Sequence, residues 1–219
     1  MQIEQFTWSI VDSNSFLITE GNFGVLIDVV DEDELFDRIM SLDEIFVILT
    51  HSHFDHIIGL NHIRKKRPDV ITIATQNCSN NIGNKYRNMS STATAFMSFY
   101  NGSQTEIEPF ICTPVNIVFD TKFDFNWFGH AVNLIAVYGH SNDGLIAKLD
   151  DKYLFTGDTL LHTPTVTRFP GGSSERFWGE DMPLMKRIEG IEAVYPGHGE
   201  CGKLKEMLFM NQYYEKLVE

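Results

Sequence analysis

The chain has 219 residues, 43% hydrophobic and 21% charged, which is enough to bury a sizeable core and ordinary for a globular protein. Seventeen basic against 30 acidic residues give a formal net charge of −13, a balance that repels phosphate backbones and disfavours nucleic-acid partners. Three cysteines (Cys78, Cys112 and Cys201), odd in number and without a C-x-x-C pair, argue against a disulfide framework.

Apolar runs bounded by turn residues predict strands at Asn14–Thr19, Gly24–Val30 and Ile45–Thr50. Between the last two, Asp31–Met40 reads as a helix whose acidic start suits the positive end of its dipole. Ile45-Phe46-Val47-Ile48-Leu49 is almost continuously apolar, so the strand is expected to be buried on both faces. Leu60–Arg67 reads as a helix stopped by Pro68, and Val70–Thr75 as a further strand. Residues 76–110, rich in Asn, Ser and Thr, read as a partly helical insertion, either packed over the core or serving as a lid or substrate wall. The second half predicts strands at Asn116–Asp120, Phe123–Trp127, Asn133–Tyr138, Gly144–Asp150, Lys152–Thr156 and Ala193–Tyr195, and helices at Pro183–Glu189 and Lys203–Leu217. No linker divides the halves, so 1–219 is expected to be one domain. No run of about 20 apolar residues is present and the first residues lack a secretory core, so a cytoplasmic protein without membrane contact is expected.

The chemistry concentrates in Thr50-His51-Ser52-His53-Phe54-Asp55-His56, an H-x-H-x-D-H pattern at the end of the apolar strand. Imidazole and carboxylate are the protein's best ligands for first-row metals outside thiolate sites. Only eight histidines occur in the chain, and three of them fall here. Three later segments end an apolar strand at a glycine followed by His or Asp: Gly139-His140-Ser141, Gly157-Asp158-Thr159 and Gly197-His198-Gly199. Each alone is ordinary turn chemistry; together with the six-residue cluster they supply enough donors for two metals if one aspartate bridges.

These four motifs, in this order and spanning most of the chain, resemble the metallo-β-lactamase-fold hydrolases, closest in pattern to their glyoxalase II-like branch. The resemblance implies an α/β fold, an αββα sandwich of two facing mixed sheets with helices on the outer faces. It implies that His51, His53 and His140 hold one metal, that Asp55, His56 and His198 hold a second, and that Asp158 bridges them. Zinc is expected first, with iron or manganese as alternatives. The implied function is hydrolysis of an ester, thioester or lactone by a metal-bridging hydroxide, with Asp55 and Asp158 as catalytic residues and a small acyl compound as substrate. His162 and Arg168 are candidate substrate contacts; against these stand an exposed loop histidine and an arginine that ties down its loop. His62 and His130 read as structural or solvent-facing, Trp127, Phe128, Phe177 and Trp178 as core aromatics, with pocket walls the alternative, and Cys201 as a packed thiol. From the short tail after His198 no helical glutathione-binding region is expected, and by the same resemblance Asp158 stands where cysteine-ligand β-lactamases have Cys. Competing readings are a mononuclear iron oxygenase resembling the persulfide dioxygenases, a non-catalytic metal-binding domain and, more weakly, a nuclease.

Overall fold

A computed structural model describes residues 1–218, with side chains through 213. Its contacts fall into two compact units, Met1–Val118 and Phe119–Glu219.

The first unit is built on a mixed sheet in the order β1-β2-β3-β4-β5-β6. β1 (Gln2–Trp8), β2 (Ser13–Glu20) and β3 (Phe23–Ile27) form an antiparallel meander, and β4 (Glu44–Ile48) and β5 (Ile71–Thr75) continue it in parallel; β6 (Ile117–Phe119) closes the order. Helix α1 (Asp33–Met40) makes the β3–β4 crossover; its first turn carries Asp33 and Glu34, its last Arg38, and it buries Leu35, Phe36 and Ile39. β4 is buried apart from Glu44 and the half-buried Phe46, so its C-terminal end projects Thr50–His56 from the middle of the sheet. There the one-turn helix α2 (Phe54–Ile57) begins, all four residues buried. The turn into α3 (Leu60–Lys66) needs Gly59, because a Cβ there would sit 2.6 Å from the Val30 carbonyl oxygen. Beyond α3, Arg67 donates to the carbonyls of Ile39 and Leu42 and so ties down the end of α1.

The 76–110 segment is partly helical, as the sequence predicts. α4 (Gln76–Asn81) is capped by the Thr75 hydroxyl, and α5 (Ala93–Asn101) buries Ala93 and Met97. Phe96 packs edge-on against Phe54 of α2 at 6.4 Å, whereas Phe99 is 94% and Tyr100 63% exposed.

The second unit carries the sheet β11-β10-β9-β8-β7. β7 (Lys122–Trp127), β8 (His130–Val137), β9 (Gly144–Leu149) and β10 (Tyr153–Gly157) run as an antiparallel meander, and β11 (Ala193–Pro196) adds in parallel to β10. The β9–β10 turn, Asp150-Asp151-Lys152, places Asp150 and Asp151 at φ of 53° and 54°, and the Lys152 amide donates to the Leu149 carbonyl at 3.0 Å. His130, expected before its strand, opens β8 and bonds Asp150 at 2.6 Å, clamping two hairpin ends. Between β10 and β11 lie a long loop, α6 (Ser174–Arg176), a π-helical turn over Phe177–Asp181 and α7 (Met182–Lys186); α8 (Leu204–Val218) ends the chain. Trp127 and Phe177 are core residues and Trp178 packs against the core, but Phe128 is half exposed and Cys201, expected as a packed thiol, is exposed. Phe128 sits in the β7–β8 turn and Cys201 in the loop between β11 and α8.

Candidate metal centre

Each unit gathers its own share of the expected ligands. In the first, the end of β4 and the start of α2 crowd three imidazoles together. The His51 ring lies 4.6 Å from that of His53 and 4.2 Å from that of His56, centroid to centroid. Asp55 Oδ2 stands 3.5 Å from His56 Nε2. All four side chains are buried. In the second unit, the turns after β8, β10 and β11 bring His140, Asp158 and His198 together: a single oxygen, Asp158 Oδ2, is 3.5 Å from His140 Nε2 and 3.4 Å from His198 Nε2.

Hydrogen bonds behind the imidazoles set which nitrogen carries the proton. His140 Nδ1 lies 2.7 Å from the Val166 carbonyl oxygen, which only accepts, so Nδ1 is the donor. The Thr50 hydroxyl spends its proton on Asp28 Oδ2 at 2.6 Å and therefore accepts from His51 Nδ1 at 3.0 Å. His56 Nδ1 donates to the same Asp28 oxygen at 2.8 Å. In their neutral forms these three histidines thus present an Nε2 lone pair.

Asp28 is the functional residue that sequence reasoning missed. It is buried at the end of β3 with φ of 57°, and its other oxygen accepts from the Thr50 amide at 2.7 Å. Burial pushes its carboxyl above the ordinary range, opposed by His56 and by the Thr50 donors. The signal available was a carboxylate inside the apolar run Gly24–Val30, where a charge has to be paired.

The donor spacing fits a metal. Ligand bonds of about 2.1 Å at a tetrahedral angle put neighbouring donor atoms roughly 3.4 Å apart. A charge-assisted hydrogen bond between the same groups would close to about 2.7–2.9 Å. The observed 3.4–3.5 Å separations in both units match the former.

The remaining candidates lie around His140 and His198. Arg168 sits between Val166, which anchors His140, and Phe169, whose ring stands edge-on to His140 at 5.7 Å. Arg168 is exposed and makes no hydrogen bond or ion pair among the described residues, so it does not tie down the loop. His162 is half-buried rather than exposed, its ring packed against Gly202. His62 stacks on Phe36 at 4.2 Å beside a cavity of about 440 Å³ between α1 and α3, which none of the seven expected ligands lines.

Comparison with known proteins bears directly on this donor set. The family model described as the metallo-β-lactamase superfamily matches residues 9–198, from the β1–β2 turn to the last ligand. The chain belongs to the metallo-β-lactamase superfamily. Curated relatives include the β-lactamase-like protein 2 homologue of Drosophila melanogaster, 23% identical over 92% of this chain, and a probable metallo-hydrolase of Streptococcus pyogenes serotype M6, 23% identical over 91% of this chain and 84% of the relative. The chain spans 63% of the fly protein's length. Among solved structures, the BLEG-1 B3 metallo-β-lactamase superposes with a TM-score of 0.76 at 18% identity, covering 97% of this chain and 99% of the other. TTHA1623 in a di-iron-bound form gives 0.73 at 20% identity, covering 96% and 99%. The α/β metallo-β-lactamase fold expected from the sequence is therefore the fold of this chain, and membership of this superfamily, together with the His/Asp clusters, supports a divalent-metal, hydrolase-type enzyme. Among the described residues no helix is long and apolar enough to cross a membrane.

Proposed function

We infer that this metallo-β-lactamase superfamily chain is a dinuclear hydrolase of a small ester, thioester or lactone, on the glyoxalase II-like pattern. One observation carries the reading: in each unit, lone-pair nitrogens and carboxylate oxygens are held at the edge length of a metal's coordination shell rather than at hydrogen-bond length. The family match across residues 9–198 and a relative solved with two irons support assigning all seven donors to one pair of metals. His51, His53 and His140 would hold the first, Asp55, His56 and His198 the second, and Asp158 both. Zinc is the first expectation, with iron or manganese as alternatives, since His/Asp ligands do not discriminate sharply among them.

Bound divalent metals supply Lewis acidity and bring the pKa of water from 15.7 to about 7. The protein's part is to keep the donors in the right protonation state and place. Val166, Thr50 and Asp28 hold the protons of His140, His51 and His56 on Nδ1. Asp158 Oδ2 stands within reach of both His140 Nε2 and His198 Nε2, so this one carboxylate would serve both metals. Asp55 would orient the attacking water or accept its proton. Burial of the first four ligands limits competing solvent. Arg168, charged and uncommitted beside the His140 anchor, fits an anionic group on the substrate, and His162 a contact at the mouth. The net charge of −13 speaks against nucleic acid as substrate.

The test is a panel of esters, thioesters and lactones offered to metal-reconstituted protein, with Asp158→Ala as the control. Turnover of at least one class by wild type, abolished in D158A, is expected; undiminished turnover by D158A contradicts the bridging role.

A further inference from the structure

Where β8 ends at Val137, the chain leaves the ladder and turns to present His140. The amides of Tyr138 and Gly139 then need acceptors from elsewhere. Both find the same carboxylate. Asp181 Oδ2 accepts from the Gly139 amide at 2.6 Å, and Asp181 Oδ1 from the Tyr138 amide at 3.2 Å. Asp181 is only 2% exposed and closes the π-helical turn Phe177–Asp181, a geometry that inserts an extra residue into a helix and re-aims its side chains. The fit leaves no slack: a Cβ on Gly139 would lie 2.5 Å from Phe177 Cβ and 2.6 Å from Asp181 Oδ2. On the far side, the Gly139 carbonyl accepts from the Ser173 amide at 2.7 Å. Both peptide groups of Gly139, the residue preceding His140, are thereby held.

The geometry points to Asp181 as a positioning residue for the ligand His140, acting through the Tyr138 and Gly139 amides to fix the turn from which the imidazole reaches Asp158. This rests on the dinuclear reading above. Two features separate it from ordinary turn stabilisation. A buried carboxylate is an expensive acceptor where a neutral amide or hydroxyl would serve, and burial pushes this one up to about 6 against the pull of its two amide donors. The other grip on His140, the Val166 carbonyl at Nδ1, sets the ring's tautomer but not the backbone from which it springs. With the backbone freed, Nε2 moves off the 3.5 Å edge it shares with Asp158.

The experiment loads Co²⁺ alone into wild type, Asp181→Ala, Asp181→Asn and Glu180→Gln, the last an exposed neighbour. Chelator competition reads affinity, and visible absorption reads ligand geometry. The expected result is about a tenfold or greater loss of affinity for at least one Co²⁺ and an altered spectrum in D181A, with wild-type behaviour in E180Q. D181N keeps one acceptor oxygen and is expected to fall between wild type and D181A. D181A that binds Co²⁺ with wild-type affinity and spectrum overturns the proposal; should D181A not fold, unchanged binding in D181N does so. If wild type itself takes up no metal, the dinuclear reading falls and this one with it; equal uptake by wild type and D181A removes this one alone.

Discussion

Replacing Asp28 with asparagine tests whether the groups behind the histidines matter as much as the histidines. The carboxylate accepts three hydrogen bonds, from the Thr50 amide at 2.7 Å, the Thr50 hydroxyl at 2.6 Å and His56 Nδ1 at 2.8 Å. Asn keeps the shape and one acceptor. Its amide nitrogen would face either the backbone donor or the two side-chain donors, and the backbone donor cannot rotate away. With the oxygen on Thr50, the NH₂ confronts His56 Nδ1–H. His56 resolves the clash by moving its proton to Nε2, which removes the lone pair from the position 3.5 Å from Asp55. Losing such an outer partner typically costs 10–100-fold in metal affinity, about 1.4–2.7 kcal/mol. Fold stability changes less, because removing a buried charge offsets part of the lost hydrogen bonding. The assay is chelator competition with the reconstituted protein, alongside circular dichroism, with Asp69→Asn on an exposed Arg67 pair as control. Metal affinity in D28N equal to wild type would refute the tautomer argument.

Four further outcomes are expected. In metal-free protein, the folded Asp181 carboxyl sits at about 6 against an ordinary 3.8, so its stabilising contribution is complete below pH about 4 and is lost as pH rises through 6. Urea denaturation across that window is expected to show wild type losing about 3 kcal/mol relative to D181N, and parallel profiles would contradict this. Phe177→Ala, at a side chain 1% exposed, is expected to cost about 3–5 kcal/mol, whereas Phe99→Ser, at one 94% exposed, should stay within about 0.5 kcal/mol. Gly139→Ala is expected to destabilise by about 1–3 kcal/mol through overpacking against Phe177 and Asp181, read as a lowered melting temperature. A thiol reagent at pH 8 is expected to modify exposed Cys201 in the native protein and to leave Cys112, buried and pushed up to about 11, until unfolding; equal rates would count against the burial assigned here.

Much of the fold was readable because its elements are locally consistent. The apolar run into Thr50–His56 and the acidic start of α1 each carry an unambiguous local signal. β1 did not: Gln2, Glu4 and Gln5 dilute its alternation, and only Phe6 and Trp8 are buried, so its strand state comes from pairing with β2. The π-helical turn over Phe177–Asp181 has no periodic signature and reads as loop or helix alike. At the site, residues that donate to metal were legible because their types and spacing are chemically narrow. Those that orient them, Asp28 and the Val166 carbonyl, were not, because they lie 28 and 26 residues from the histidines they serve, and neither a carboxylate in an apolar run nor a backbone carbonyl names its partner. Arg168 and His162 show the middle case, found as candidates by position and resolved in environment only by the fold.

In the proposed enzyme, His51, His53, Asp55, His56, His140, Asp158 and His198 together would hold a pair of metals. Elemental mass spectrometry of the purified chain, beside Asp158→Ala, tests it most directly. About two divalent metals per wild-type chain, with at least one lost in D158A, is the predicted result. One iron per chain with oxygen consumption, or no metal at all, would contradict it.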